Sequence, residues 1–309
     1  MGGAVHIAVP SVRKYRPCKL KSLSLLVLIT SPHETRDRHS IETVQERLRL
    51  TMTYAILPAS EDLVAEIEVW LDAEETLYKV AEATWSEAPF DGPKPTRGFR
   101  CNWDTVKKSW REGRTPLDVL VKDGMAIGFL FGTDIVEVHP EWRGRGLGVL
   151  LSDHMLRRAS DEDYCVLQIE IAPHTAEPFW LRQGFTLLDN EIHFRNGLHA
   201  FMTIPRAFSL GAGPRVSVQI MFHDEKTGHS GGKPFKIFEG DGERLADGSI
   251  QLPERVHGYS PLLKDNTDNH ICIIIDGNEV YSGRSKYAQA YGTKRDPAGN
   301  HYIDRVLPG

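Results

Sequence analysis

A basic, glycine-rich stretch near the middle of the chain has the residue types and spacing needed to bind a phosphate group. Residues 143–148 read Arg-Gly-Arg-Gly-Leu-Gly and follow a short β-branched segment at 135–138. A turn without side chains between a strand and a helix places backbone N–H groups at the positive end of the helix dipole, where anions bind. Arg143 and Arg145 would add charge-assisted hydrogen bonds. The stretch therefore predicts a turn that holds a pyrophosphate.

Two common glycine-rich phosphate motifs do not fit this stretch. The dinucleotide fingerprint GxGxxG needs glycine where the chain has Val149, and no Gly-Lys-Ser/Thr of a P-loop follows. The remaining pattern is RxxGxG, preceded by a VxVxP strand and followed by the helix-like segment Val149–Leu156. This arrangement resembles the coenzyme A-binding motif of the GCN5-related N-acetyltransferase (GNAT) superfamily.

A second motif lies at the spacing that this family requires. Phe179–Phe185 reads FWLRQGF and is similar to the family's FYxxxGF signature, in which a helix ends at glycine and a strand begins. Gly184 suits the left-handed position that ends a helix. Between the motifs, Cys165–Ala172 has the length and the apolar character of a strand. The resemblance covers Asp118 to Phe208 and implies an α+β fold with a GNAT-type mixed central sheet flanked by helices.

The resemblance implies acetyl-CoA as co-substrate and acetyl transfer to an amine by direct attack in a ternary complex. Two groups of residues are implied in cofactor binding. Strand residues around Val136 and Val138 would use their backbone to bind the pantetheine arm and polarise the thioester, an oxyanion-type role. The pyrophosphate would be held by the turn, whose residues are Arg143, Gly144, Arg145, Gly146, Leu147 and Gly148.

The sequence leaves two candidates for the general base. Glu170, within Ile169–Ile171, resembles a glutamate that several family members use on the strand after the cofactor helix. Glu137 lies in the cofactor strand itself, and strand alternation places it on the face opposite Val136 and Val138. A carboxylate among apolar strand residues has a raised pKa, which suits proton abstraction near neutrality. Both residues remain candidates.

The general acid is where the chain departs from the family pattern. Many relatives have tyrosine at the position of Trp180, and its hydroxyl protonates the leaving thiolate. An indole N–H donates a hydrogen bond but does not release a proton. His174 or water would then have to serve, unless the thiolate leaves without specific protonation. The family's usual asparagine near this helix start is replaced by Pro173 and His174.

Periodicity predicts regular helices and strands from Met52 onward. A first strand is predicted over Thr53–Leu57, and Ser60 begins a helix whose apolar residues recur at helical spacing. A second helix is predicted over Asn102–Arg111. Asp118–Val121 and Met125–Phe131 form a predicted hairpin, because Asp-Gly between them is a turn signal.

The chain of 309 residues is long enough for two units, with limits predicted from changes in composition. Residues 1–51 carry nine Lys/Arg against four Asp/Glu and are interpreted as a poorly ordered extension, or as a stretch translated from a start before the natural one. Residues 52–212 form the predicted acetyltransferase domain. Residues 213–309 contain short strand-like runs between turn residues and predict a small β-rich module of unknown role.

Charge and cysteine use limit the partners. Four scattered cysteines without a CxxC pair indicate neither a disulfide framework nor a metal site, and a cytoplasmic location is the default. The negative charge is concentrated in residues 52–212, which favours a cationic small molecule or a protein amine as acceptor. No segment is long and apolar enough to span a membrane. A homodimer is a further expectation.

Three function classes stay open at this stage. The first is the N-acetyltransferase, and the second is a non-catalytic acyl-CoA-binding regulatory protein, which the missing tyrosine favours. The third, an acetyltransferase toxin acting on aminoacylated transfer RNA, needs a basic surface. Tyr287, Tyr291 and Tyr302, near Lys286, Lys294 and Arg295, suggest a nucleic-acid surface, but the near-neutral charge of the module argues against it.

Overall fold

The computed structural model describes residues 54–87, 92–189, 197–228 and 232–309. The predicted extension at 1–51 lies outside these residues. The chain forms two compact units. The first unit ends at Gly132 and also includes Glu137–Arg143. The second unit consists of Thr133–Val136 and Gly144–Gly309. The expected limit between residues 212 and 213 therefore falls inside the second unit, because strands of the predicted acetyltransferase part pack on the C-terminal strands.

The first unit begins with the predicted strand and helix. Strand β1 is Tyr54–Pro58, and helix α1 is Glu61–Glu87. The N–H of Leu63 donates to Ser60 Oγ at 3.3 Å, and acidic residues in the first turn favour the positive end of the helix dipole. The buried face of α1 carries four apolar residues at helical spacing: Val64, Ile67, Trp70 and Leu71. This face attaches α1 to the core of the unit.

A four-stranded sheet follows in the order β1-β2-β3-β4. Helix α2 is Arg100–Arg111, and the strands after it are β2 (Leu117–Lys122), β3 (Met125–Phe131) and β4 (Ile135–Val138). The predicted hairpin is confirmed: β2 and β3 pair antiparallel, and Asp123 and Gly124 at the turn both have positive φ. Trp70, Trp103 and Phe129 supply the aromatic core. Among the described residues β4 is the outer strand, with the N–H of His139 donating to Ile127 O at 3.0 Å.

The second unit contains the helix after the glycine turn and a three-stranded sheet. Helix α3 is Leu147–Asp161 and helix α4 is Glu177–Arg182. The sheet has the order β5-β7-β6, with β5 Val166–Ile171, β6 Thr186–Leu187 and β7 Leu198–Thr203. Gly184 has φ +90° after α4, and its N–H donates to Leu181 O at 3.1 Å. The predicted left-handed end of this helix is therefore confirmed.

The C-terminal β-rich module is a seven-stranded antiparallel sheet of the order β12-β11-β8-β9-β10-β14-β13. Its strands are β8 Arg215–His223, β9 Lys236–Arg244, β10 Ile250–His257, β11 His270–Ile275, β12 Asn278–Arg284, β13 Thr293–Arg295 and β14 His301–Val306, and a short helix, α5 (Glu225–Gly228), follows β8. Alternate residues of the long strands are buried in one apolar core. No helix among the described residues has the length and apolar character needed to cross a membrane.

The C-terminal sheet is joined to the β5-β7-β6 sheet by buried contacts. The N–H of Cys165 donates to Asp296 Oδ2 at 3.0 Å, and Cys165, Val166, Tyr259 and Tyr302 form one apolar cluster. Arg255 donates to Asp304 Oδ1 at 2.7 Å and to Asp163 Oδ1 at 2.9 Å, and its guanidinium lies 3.9 Å from the ring centroid of Tyr302. These contacts give the second unit one continuous interior.

Candidate active site

The predicted pyrophosphate turn has the backbone that its glycines suggest. Gly144 has φ +75° and Gly146 has φ +79°, a left-handed conformation that strains other residues. Gly146 immediately precedes α3, and among the described residues nothing lies within 4 Å of where a Cβ on either glycine would be. Leu147 is buried and anchors the first turn of the helix. The turn is open, and it precedes a helix N-terminus, which fits an anionic group.

Gly148 links the two sequence motifs. A Cβ at this position would lie 3.2 Å from the ring edge of Phe179, so the absence of a side chain allows helix α3 and the second motif to pack closely. Phe179 contacts Trp180 at a centroid distance of 4.9 Å, and Trp180 contacts Phe185 at 5.1 Å, both edge to face. The aromatic residues of the second motif therefore support the start of helix α3.

Arg143 lies in the first unit and is held by three acceptors. Its Nε donates to Val138 O at 2.9 Å, and its Nη2 donates to Glu74 Oε1 at 2.9 Å and Glu137 Oε1 at 3.0 Å. The Arg143 side chain nevertheless stays 46% exposed, so an anion in solvent can reach the guanidinium. Arg145, in the second unit, is exposed as well. Their predicted role in holding a phosphate stays a prediction.

The backbone of Val138 is occupied in this structure. Its N–H donates to Oε1 of Glu137 at 3.2 Å, and its C=O accepts from Arg143. A role for this backbone in polarising a thioester therefore requires that Glu137 release the N–H. Val136 belongs to the second unit and is half-buried. The predicted cofactor roles of both valines remain predictions.

Glu137 has the environment that proton abstraction needs. Burial raises the pKa of its carboxyl above the ordinary value, Arg143 acts in the opposite direction, and the charge of Glu74 adds to the rise. The Glu137 side chain is 21% exposed, so a proton can leave to solvent. A carboxylate whose pKa is raised by burial is a stronger proton acceptor than an exposed one.

Glu74 is a site residue that sequence reasoning missed. It lies on α1, its Oε1 accepts from Arg143, and its Oε2 is buried without a hydrogen-bond partner among the described residues. A Cβ at Gly98 would lie 2.6 Å from that oxygen, so a larger residue there would displace the carboxylate. The available signal was helical spacing: Glu74 follows Ile67, Trp70 and Leu71 on the core-facing side of α1.

Glu170, the other candidate base, lies in the second unit and is exposed. It pairs with His199 in the β5–β7 register, and its Oε1 is 3.2 Å from where a Cβ on Gly197 would be. Two residues earlier on the same face, Gln168 Nε2 donates to the hydroxyl of Tyr259 in the C-terminal module at 3.2 Å. Glu170 therefore lies beside the part of β5 that the C-terminal module covers.

The structure locates the residues considered as general acid. Trp180 is 7% exposed and packs between two phenylalanines, so its indole belongs to the core of the second motif. His174 begins a short 3-10 helix, His174–Ala176, and is exposed.

Among the described residues no three metal-binding side chains of His, Cys, Asp or Glu lie close enough to hold an ion.

Comparison with known proteins gives a sequence match and several weak structural similarities. Residues 122–205 match the family model described as Acetyltransferase (GNAT) domain. A search of curated protein sequences finds no match to this chain. A GNAT-family acetyltransferase from Staphylococcus aureus Mu50 is 9% identical with a TM-score of 0.37, covering 49% of this chain and 99% of that one. A GCN5-related N-acetyltransferase from Rhodopseudomonas palustris is 17% identical with a TM-score of 0.36, covering 50% and 98%.

The third similarity is to an acetyltransferase from Thermus thermophilus, which is 13% identical with a TM-score of 0.33 and covers 48% of this chain and 95% of that one. All three TM-scores are low, so the assignment depends on the family match and on the two motifs. Both motifs lie inside the matched segment. The finding is therefore a match of residues 122–205 of this chain to the GNAT acetyltransferase domain.

Proposed function

We propose that the chain is an acetyl-CoA-dependent N-acetyltransferase that moves an acetyl group to a primary amine by direct attack in a ternary complex. The observation that carries the proposal is the open turn at Gly144–Gly148, with two left-handed glycines before a helix N-terminus, inside the GNAT-matched segment. The backbone N–H groups of this turn would hold the pyrophosphate. Arg143 and Arg145 would supply charge-assisted hydrogen bonds.

We assign the general base to Glu137. An amine must lose its proton to attack a carbonyl, and the raised pKa of this buried carboxyl favours accepting that proton near neutral pH. Arg143 stabilises the ionised form in the absence of substrate, and Glu74 accepts a hydrogen bond from the same Nη2 of Arg143 and helps to hold it there. The Val138 N–H becomes available for an oxyanion-type contact when the Glu137 carboxylate turns away from it.

Glu170 then has a different role in the proposal. An exposed carboxylate beside the surface that the C-terminal module covers suits the recognition of a cationic acceptor, and the excess acidic charge of residues 52–212 supports such an acceptor. Small polyamine-like amines and basic protein termini share this chemistry. The module would contribute by limiting what can approach β5 on this face.

The departing thiolate lacks the tyrosine of many relatives. Because Trp180 is buried among aromatic rings and an indole does not release a proton, the proton would come from water or from exposed His174. The same feature supports the second candidate function, a non-catalytic acyl-CoA-binding regulatory protein. That alternative keeps the glycine turn and predicts binding without turnover.

Calorimetric titration of the full chain with acetyl-CoA, beside an Arg143→Ala/Arg145→Ala double variant, tests the proposal. We expect saturable binding that weakens at least tenfold in the variant, since two charge-assisted contacts are lost. Thiol release is then followed over a panel of monoamines, polyamines and basic peptides. Release with any amine supports the enzyme, binding without release across the panel supports the regulatory protein, and absence of binding refutes both.

A further inference from the structure

A cavity in the C-terminal module is lined by none of the residues of the proposed acetyl-transfer chemistry. It has a volume of about 410 Å³, within the range of small-molecule pockets. Its walls are the short strand β13, the start of β14, and the segments before β11 and after β12. The residues that line it are Thr267, Asp268, Lys286, Gln289, Thr293, Lys294, Arg295 and His301.

The lining is polar and carries an excess of positive charge. Three cations, Lys286, Lys294 and Arg295, share the cavity with one carboxylate, Asp268. Lys286 Nζ lies 2.7 Å from Asp268 Oδ2, which neutralises one of the three. Lys294 Nζ is 3.9 Å from Asp304 Oδ2, a loose ion pair that leaves its side chain 59% exposed. Arg295 is held in place by the turn after β13, because its Nε donates to a backbone carbonyl there at 3.0 Å. Lys294 and Arg295 can thus meet an anionic group.

Several buried polar atoms in the same lining have no hydrogen-bond partner among the described residues. They are Thr293 Oγ1, His301 Nδ1 and Asp268 Oδ1. Thr293 is only 3% exposed and His301 only 4%. A buried polar atom without a partner destabilises a fold, and most such atoms are therefore satisfied by protein, water or ligand. Three of them around one cavity point to a molecule that supplies the missing partners.

The character of these atoms specifies the ligand. Asp268 Oδ1 accepts only, so the ligand must donate to it. Thr293 Oγ1 can donate or accept. Burial lowers the pKa of His301 below its ordinary value; the charge of Arg295 lowers it further, that of Asp268 raises it, and that of Lys286 lowers it. The ring is therefore neutral at physiological pH, and Nδ1 can take either role. The lining thus offers cationic side chains that can bind an anionic group of the ligand, and a carboxylate that can accept a hydrogen bond from the ligand.

We propose that this cavity binds a small molecule that carries a phosphate or carboxylate group together with a hydrogen-bond donor such as an amine or a hydroxyl. Lys294 and Arg295 meet the anionic group, as charge-assisted hydrogen bonds to an oxyanion are the strongest available there. Asp268 accepts from the donor, and Thr293 and His301 complete the contacts. This site is independent of the acetyl-transfer proposal and uses none of its residues.

Titration calorimetry of the full chain with three probes tests the site: O-phosphoserine, inorganic phosphate and serine. O-phosphoserine carries the anion and the donor, whereas the other two probes carry one part each. We expect 1:1 binding of O-phosphoserine that is at least tenfold tighter than binding of phosphate or serine. Aspartate as a fourth probe distinguishes a carboxylate from a phosphate as the preferred anion.

Three variants locate the binding. Lys294→Gln/Arg295→Gln should weaken O-phosphoserine binding at least tenfold, whereas Arg244→Gln, an exposed cation on β9 outside the cavity, should leave it unchanged. Thr293→Val removes a buried hydroxyl that has no hydrogen-bond partner in the part of the chain that the structure describes. It should raise the unfolding midpoint of the free protein and reduce the further rise that O-phosphoserine produces.

Two results would overturn the site. One is the absence of saturable binding by O-phosphoserine, phosphate and aspartate alike. The other is binding that persists unchanged in Lys294→Gln/Arg295→Gln and Thr293→Val, which would place it elsewhere, for example on the glycine turn. Neither result bears on thiol release from acetyl-CoA, so failure of this site and failure of the proposed acetyl transfer are distinguishable.

Discussion

Arg143 Nη2 lies 3.0 Å from Oε1 of Glu137, so the arginine predicted to bind phosphate forms an ion pair with the glutamate assigned as base. The two assigned functions are therefore coupled. Burial raises the pKa of Glu137, and Arg143 opposes that rise. When a bound phosphate attracts Arg143, the lowering effect of Arg143 on the pKa of Glu137 weakens. The pKa of Glu137 then rises, so Glu137 is a stronger proton acceptor when the cofactor is present.

The first prediction concerns the pH profile of Arg143→Ala. A general base works only when deprotonated, so kcat/KM decreases when the pH drops below the pKa of Glu137. Removing the guanidinium charge raises the pKa of Glu137 further, and we expect the acidic limb of kcat/KM to move to higher pH. Arg145→Ala is the control, because the causes of the Glu137 shift do not include Arg145. An identical movement in both variants, or none in either, would contradict the coupling.

The second prediction separates the two glutamates. Glu137→Gln should lower kcat by about 10²–10⁴-fold, the usual contribution of a general base, with little change in the affinity for acetyl-CoA. Glu170→Gln should instead raise KM for a cationic amine, since it removes an exposed negative charge. The measurement is thiol release at varied amine concentration. If Glu170→Gln showed the larger loss of kcat, the two roles would have to be exchanged.

The contrast between these residues shows what sequence could and could not predict. Local signals fixed the glycine turn, the Asp-Gly hairpin and the helix end at Gly184, because each depends on the conformational preference of one or two adjacent residues. Glu74 is 69 residues from Arg143 along the chain, and only the packing of α1 brings the two together. Which glutamate is buried also depends on tertiary packing, so Glu137 and Glu170 could not be ranked.

The C-terminal module shows the same limit. Strand-like runs were predicted near β8 to β12, but β13 and β14 were both missed; β13, which reads Thr-Lys-Arg, has no hydrophobic alternation. Its charged side chains stay exposed at the edge of the sheet while Thr293 is buried. The tyrosines that suggested a nucleic-acid surface also separate: Tyr302 lies under Arg255, whereas Tyr291 packs on Tyr281.

The third prediction compares two of the left-handed glycines that have open surroundings, Gly146 and Gly113. Gly146→Ala should destabilise the fold by about 1–2 kcal/mol, the cost of the left-handed conformation for a residue with a Cβ. Gly113→Ala should cost the same, because Gly113 has φ +65° and equally open space among the described residues. Only Gly146→Ala should also weaken acetyl-CoA binding. Urea unfolding and calorimetry measure the two effects, and equal loss of binding in both would refute a specific role for the turn.

The fourth prediction concerns the buried ion pair between Arg255 on β10 and Asp304 on β14. The Arg255 side chain is 2% exposed, and that of its partner Asp304 is 13% exposed. Arg255→Ala leaves the nearly buried carboxylate of Asp304 with only its loose ion pair to Lys294 and should cost about 3–5 kcal/mol. Adding Asp304→Asn should recover part of the loss, because the unpaired charge is gone. Urea unfolding of the two single variants and the double variant tests this, and strict additivity would contradict a coupled buried pair.

The last prediction is a loss of stability in mild acid caused by His257. Burial lowers the pKa of this histidine from 6.5 to about 4, with smaller contributions from the charges of Lys236 and Arg255. The unfolded chain therefore takes up a proton below pH 6.5 that the folded chain refuses, so stability falls as the pH drops from 6.5 toward 4. Between pH 7 and pH 5 this one group should remove about 2 kcal/mol from the free energy of unfolding. His257→Phe removes the titration together with a buried Nδ1 that has no partner among the described residues, so the variant should lose about 2 kcal/mol less than the parent over that interval. Urea unfolding of both proteins at pH 7 and pH 5 measures the difference, and equal losses would show that His257 is protonated in the folded chain at pH 5.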